Sequence, residues 1–209
     1  IERSISLLQS GATILSKAET NAHAWDEFRQ ENAFALCLGL VFFSLATSVF
    51  FTPLPVFFAR NLTLQTSIIF ILFLLNSASC LSGYFLTQRK AGGSEANASI
   101  KKIALLRSLL VLLPVFAGFS SFFGAVVLSI IVLVAMGLAY AFYSVSVLSL
   151  SMEVIPQGKA GLFTALVGTG SAIGCFAGPL IAESFGFQQA FLTSAACFLL
   201  SFVAFKKFA

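Results

Sequence analysis

Charge is scarce in this chain. Asp, Glu, Lys and Arg together make up 10% of its 209 residues, where a soluble domain carries about 25%. Hydrophobic residues account for 58%, and Phe alone fills 25 positions. So few charges cannot keep that much apolar surface in water. The shortage excludes a soluble enzyme, a disordered chain and a nucleic-acid binder. Histidine is almost missing: His23 is the only one, and it lies outside every long apolar run. That removes a Ser–His intramembrane hydrolase and the two-His helix of a zinc protease. Carboxylates are missing from the apolar runs altogether, Glu153 and Glu183 sitting just past run ends, so no carboxylate pair acts at membrane depth. Cys37, Cys80, Cys175 and Cys197 fall in four different runs without metal-ligand spacing and read as buried packing residues. No enzymatic activity, metal site or cofactor is expected.

What is present is six long apolar runs, at residues 34–59, 64–87, 103–119, 122–152, 160–182 and 187–205. A helix needs about 20 apolar residues to cross a bilayer core of roughly 30 Å. In lipid the backbone must satisfy its own hydrogen bonds, so each run is expected to be helical despite its Phe and Val content. None alternates with the period of two that a membrane barrel strand requires. The chain reads as an all-α, multi-pass integral membrane protein, a six-transmembrane-helix bundle over residues 34–209 with the lipid bilayer as its surroundings. Residues 1–33 are polar, but Leu8, Leu15, Ala18, Ala22 and Trp25 form a helical stripe. They read as a cytoplasmic connecting loop with a surface amphipathic helix. The fourth run, about 46 Å long at 1.5 Å per residue, is expected to tilt, to protrude, or to contain a loop.

The +4 formal charge is a topological signal. With loops alternating sides, one side holds Arg3, Lys17, Arg29, Arg89, Lys90, Lys101, Lys102, Lys159, Lys206 and Lys207; the other holds Arg60 alone. Basic residues favour the cytoplasmic face, so both termini are placed there, in a cell (plasma or inner) membrane. Arg107 lies inside the third run, about one turn from its start, and is read as snorkelling to the headgroups.

The remaining polarity is mild and lies on particular faces. Ser44, Thr47, Ser48 and Thr52 share a face of the first run, and Pro53 and Pro55 follow; the prolines remove two N–H donors and are expected to bend its outer end. Asn76 sits at the midpoint of the second run, on a face with Ser79, Cys80 and Gly83, either as interhelical hydrogen-bond glue or as a ligand contact. Ser129, Met136, Gly137, Tyr140, Tyr143, Ser144 and Ser151 share an arc of the fourth run. Two tyrosines and hydroxyls there suit an amphipathic ligand or a packed polar face. Gly161, Thr164, Gly168, Ser171, Cys175 and Gly178 line the fifth run, a face suited to close helix packing.

Several stretches carry a resemblance to a known family. Between the fourth and fifth runs stands Glu153-Val154-Ile155-Pro156-Gln157-Gly158-Lys159-Ala160-Gly161. Gly174-Cys175-Phe176-Ala177-Gly178-Pro179 resembles a Gly-x-x-x-Gly-Pro signature. The turn Gly186-Phe187-Gln188-Gln189-Ala190-Phe191 is similar to one found in the same family. Gly83-Tyr84-Phe85-Leu86-Thr87-Gln88-Arg89-Lys90 resembles its glycine-to-basic loop, although Thr87 stands where an acidic residue is usual. Together with six spans and both ends inside, these resemble the C-terminal six-helix half of a major facilitator superfamily transporter. The resemblance implies two inverted three-helix repeats, with the first and fourth spans as equivalents beside a central cavity. It implies secondary transport of a small-molecule solute by alternating access, with the N-terminal six-helix half of the same transporter as partner. Ser48, Thr52, Asn76, Tyr140, Tyr143 and Ser144 are then the expected substrate-binding residues. A neutral, aromatic-lined cavity suits a drug-like molecule, a sugar or an uncharged metabolite. The alternative reading is a non-transporting six-helix assembly partner or scaffold, whose polar faces bind other subunits.

Overall fold

The structure, a computed structural model, describes residues 34–87, 95–117, 122–154 and 160–208. The expectations for residues 1–33, including the amphipathic helix around Trp25, lie outside these. Every element among the described residues is helical: α1 (34–51), α2 (Leu54–Arg60), α3 (Thr66–Thr87), α4 (Glu95–Ala117), α5 (Phe122–Val154), α6 (Ala160–Phe185) and α7 (Phe187–Phe208). Five spans, with α1 and α2 taken together as one, are long and apolar enough to cross a membrane. The remaining helix, α4, has the length at 23 residues, but Lys101, Lys102 and Arg107 interrupt its hydropathy.

Two local features follow directly from the residues. Pro53 and Pro55 interrupt the first span: α1 stops at residue 51 and α2 starts at Leu54. The Thr52 hydroxyl and backbone N–H both bond to the Ser48 carbonyl, at 2.7 and 3.0 Å. Helical hydrogen bonding resumes as Phe57 N–H donates to the Pro53 carbonyl at 3.0 Å. At the turn from α6 to α7, Gly186 holds φ +94°, a conformation that costs glycine little and other residues more. α5 runs unbroken for 33 residues, so no loop is hidden in the fourth span.

Packing shows the internal repeat. Gly170 meets Val41 and Ser44, Gly174 meets Leu45 and Ser48, and Gly178 meets Val49, so α1 and α6 run parallel in register. Gly137 packs on Asn76 and Cys80, and Gly83 on Ala141, so α3 and α5 are also parallel. Exchanging the triplet α1, α3, α4 for α5, α6, α7 converts the first pair into the second. The same exchange converts the α4–α5 contact into the α7–α1 contact. There the Ser201 hydroxyl donates to the Gly39 carbonyl at 2.8 Å and the Ser194 hydroxyl to the Ala46 carbonyl at 2.7 Å. Short connections make successive spans antiparallel, so each helix of the first triplet runs opposite to its equivalent in the second. This is the arrangement of two inverted three-helix repeats.

The core is aromatic. Phe43, Phe50, Phe191, Phe198 and Phe205 are fully buried. Phe43 stacks on Tyr143 with centroids 3.4 Å apart and meets the edge of Phe198 at 5.2 Å. Phe43 and Tyr143 belong to α1 and α5, the two repeat-equivalent helices, which therefore touch at the centre of the molecule.

Candidate functional site

Among the described residues, three cavities open along the first span. At the end of the bundle formed by α2 and the α6–α7 turn, a cavity of about 310 Å³ is lined by Thr52, Pro53, Val56, Arg60, Pro179, Ala182, Glu183 and Phe187. At mid-depth, one of about 200 Å³ is bounded by Thr47, Phe51, Asn76, Cys80, Arg107, Met136, Gly137 and Tyr140. Toward the start of α1, a third of about 320 Å³ is walled by α1, α3, α5 and α6, with Phe43, Ser44, Thr47, Tyr84, Tyr140, Tyr143, Ser144, Phe163 and Ser171 among its residues. Thr47 and Tyr140 belong to both of the latter two cavities and form the partition between them.

Arg107 stands beside that partition, on the wall of the mid-depth cavity. Its side chain is 1% exposed. Nη1 donates to Thr47 Oγ1 at 3.0 Å, and that hydroxyl in turn donates to the Phe43 carbonyl at 2.8 Å. The guanidinium lies over the rings of Phe43, Phe198 and Tyr140, at 4.9, 5.2 and 5.4 Å from their centroids. The sequence expectation that it snorkels is overturned. The apolar run starts at residue 103, but the helix starts at Glu95, which places Arg107 about 18 Å along the axis at 1.5 Å per residue. Aromatic faces from α1, α5 and α7 then hold it inward. The expectation of a neutral cavity falls with it, since a cation stands in the wall.

The electrostatic balance of this position is incomplete. An unpaired buried charge costs on the order of several kcal/mol. A cation–π contact returns about 0.5–2 kcal/mol, and a hydrogen bond to a charged group about 1.5–3 kcal/mol. Nε of Arg107 is buried without a partner. From residue 34 onward the sequence has only Glu95, Glu153 and Glu183 as carboxylates, and all three lie near helix ends. Two other polar atoms at the cavities are buried and unpartnered, Asn76 Oδ1 and the Tyr143 hydroxyl.

The expected site residues are distributed over this system. Tyr140 and Tyr143 line the wide cavity together with Ser144, and Tyr140 and Asn76 line the central one. Thr52 belongs to the end cavity. Ser48 packs against Gly174 at the α1–α6 contact, outside the walls of all three. Interhelical glue between α3 and α5 comes from Ser79, whose hydroxyl donates to the Val134 carbonyl at 2.6 Å, while Asn76 Oδ1 is buried beside Gly137 without a partner. Packing of α6 on α1 uses Gly170, Gly174 and Gly178, whereas Gly161 and Gly168 of the expected face have nothing within 4 Å. The same face of α6 carries Ser171, whose hydroxyl meets that of Ser44 at 2.6 Å. Sequence reasoning missed Arg107, Phe43 and Tyr84 as cavity residues; it puts Thr47 on the polar face of the first run but not among the binding residues. For Arg107 the signal was present: it is the one charge strictly inside the apolar runs.

The family model for the Major Facilitator Superfamily matches residues 6–179. No curated protein and no solved structure matches the chain.

Proposed function

Because the chain belongs to the Major Facilitator Superfamily, and is thus a membrane transporter of that kind, we propose that it moves a small solute by alternating access as the C-terminal six-helix half of its transporter. The observation that carries this reading is the central cavity. It lies between repeat-equivalent helices, α1 and α5, and holds polar groups whose bonding capacity the fold leaves unused. Polar and charged groups at membrane depth are costly and mark solute pathways. The wide and end cavities lie on either side of it along α1, as an inner and an outer vestibule. The excess of basic residues in the loops at its end of the bundle supports a cytoplasmic position for the wide cavity. Ser144 and Tyr143 then face the inner vestibule, Thr52 the outer one, and Asn76 and Tyr140 the solute at the centre.

The test uses protein made from the complete coding sequence, with Cys37, Cys80, Cys175 and Cys197 replaced by Ser. Thr52→Cys and Ser144→Cys are combined and labelled with membrane-impermeant maleimides applied to opposite faces of sealed vesicles. A bulky adduct on position 52 wedges the outer vestibule open, and labelling at 144 from the inner face is expected to slow at least tenfold. Independent labelling rates at the two positions argue instead for a static assembly partner.

A further inference from the structure

We propose that the solute is a small organic monoanion, a carboxylate on an apolar or aromatic body, whose charged group docks on Arg107 in the central cavity. This rests on the alternating-access reading and assigns the chemical class of its solute. The guanidinium is buried at mid-depth and bonded through Nη1 to Thr47, with Nε unpartnered. Its own spans supply no counter-ion: residues 96–152 hold no Asp or Glu, and neither do residues 34–94 or 160–182. A planar guanidinium presents paired N–H donors to a carboxylate, and the bidentate match makes arginine selective for that geometry. Asn76 stands on the wall of the same cavity with its side-chain oxygen unsatisfied. A half-turn of the amide replaces that oxygen by an NH₂ donor, so the group can serve a second carboxylate oxygen. Phe51, Met136 and the Tyr140 ring complete the wall and suit the body of the anion. One cation in the cavity matches one negative charge; a dianion would bring an uncompensated charge to membrane depth.

The complete protein, purified into lipid nanodiscs, is unfolded thermally in the presence of benzoate, pyruvate or hexanoate. Benzamide and sodium chloride at equal ionic strength serve as controls. At least one carboxylate is expected to raise the unfolding midpoint saturably, and the controls are not. Arg107→Gln is expected to abolish the shift, and Arg107→Lys to weaken the apparent affinity at least tenfold, since lysine lacks the planar fork. Should Arg107→Gln yield no folded protein, Arg107→Lys decides alone, and unchanged affinity overturns the proposal. It is also overturned if none of the three carboxylates protects, if benzamide protects as well as benzoate, or if neutralising a carboxylate elsewhere in the protein restores the stability of Arg107→Gln, which identifies an internal ion pair. The readout is binding, so it separates from the vestibule labelling. Labelling that alternates without carboxylate protection leaves transport standing and removes the anion; protection without alternation does the reverse.

Discussion

Arg107 of α4 and Thr47 of α1 are joined at 3.0 Å by a charge-assisted hydrogen bond, at the partition between two cavities. The bond fixes the guanidinium and ties α4 to α1. Thr47→Val keeps the side-chain shape and removes the acceptor. Hydrogen bonds to charged groups contribute about 1.5–3 kcal/mol, so a loss of that size is expected in denaturant unfolding of the detergent-solubilised protein. Thr47→Ser, which keeps the hydroxyl, is expected to lose less than half as much. Equal losses in the two variants would place the cost in methyl packing instead.

Glycines of α6 give a matched pair. A Cβ at Gly174 would stand 2.7 Å from that of Ser48, with the Leu45 carbonyl closer still, whereas one at Gly168 meets nothing within 4 Å. Gly174→Val is expected to push α6 off α1 and lower stability by about 1–3 kcal/mol, the usual cost of overpacking. Gly168→Ala is expected to stay within about 0.5 kcal/mol of wild type, as an open position should. Unfolding midpoints of the two variants check this. A comparable loss at Gly168 would reveal a surface outside this chain's own bundle packed on that face.

The stack of Tyr143 on Phe43 separates ring from hydroxyl. The ring is 6% exposed and stacked at 3.4 Å, while its hydroxyl has no partner. Removing an unsatisfied buried group costs the fold nothing and relieves a desolvation penalty of about 1–3 kcal/mol. Tyr143→Phe is therefore expected to be at least as stable as wild type, and Tyr143→Ala less stable by about 3–5 kcal/mol. A destabilised Tyr143→Phe, measured by the same unfolding, would show that the hydroxyl has a structural partner.

These relationships show which parts of the molecule the residues disclose in advance. Apolar runs and loop charges locate the spans because lipid imposes a length and a polarity on each crossing. The two prolines after Thr52 announce the break in the first span for the same local reason, a missing donor. The beginning of α4 is not legible that way. Hydropathy ends at Lys102, but the backbone stays helical back to Glu95, because long basic side chains reach the headgroups without disturbing it. Arg107 is visible as a charge, yet its environment is not: Phe43, Tyr140 and Phe198 lie on three other helices. Likewise helical spacing shows that α6 has small residues, but only the approach of α1 decides that Gly170 and Gly174 pack and Gly168 does not.

Ser44 and Ser171 offer a direct test of how the bundle moves. Their hydroxyls meet at 2.6 Å across the α1–α6 contact, one helix from each triplet. That spacing allows the Cβ separation of about 3.5–4.5 Å that a disulfide requires. In the cysteine-free background, Ser44→Cys with Ser171→Cys is expected to cross-link under mild oxidation. If the six helices rock as one body during alternating access, the link joins parts that never separate. Opposite-face labelling at Thr52→Cys and Ser144→Cys should then alternate as before, with rates within about twofold of the reduced protein. If the triplets instead shear past each other, the link freezes one state and labelling at one of the two positions is lost. The close seating of Gly170, Gly174 and Gly178 on the α1 backbone favours the first outcome, because a packed interface without side-chain slack resists sliding.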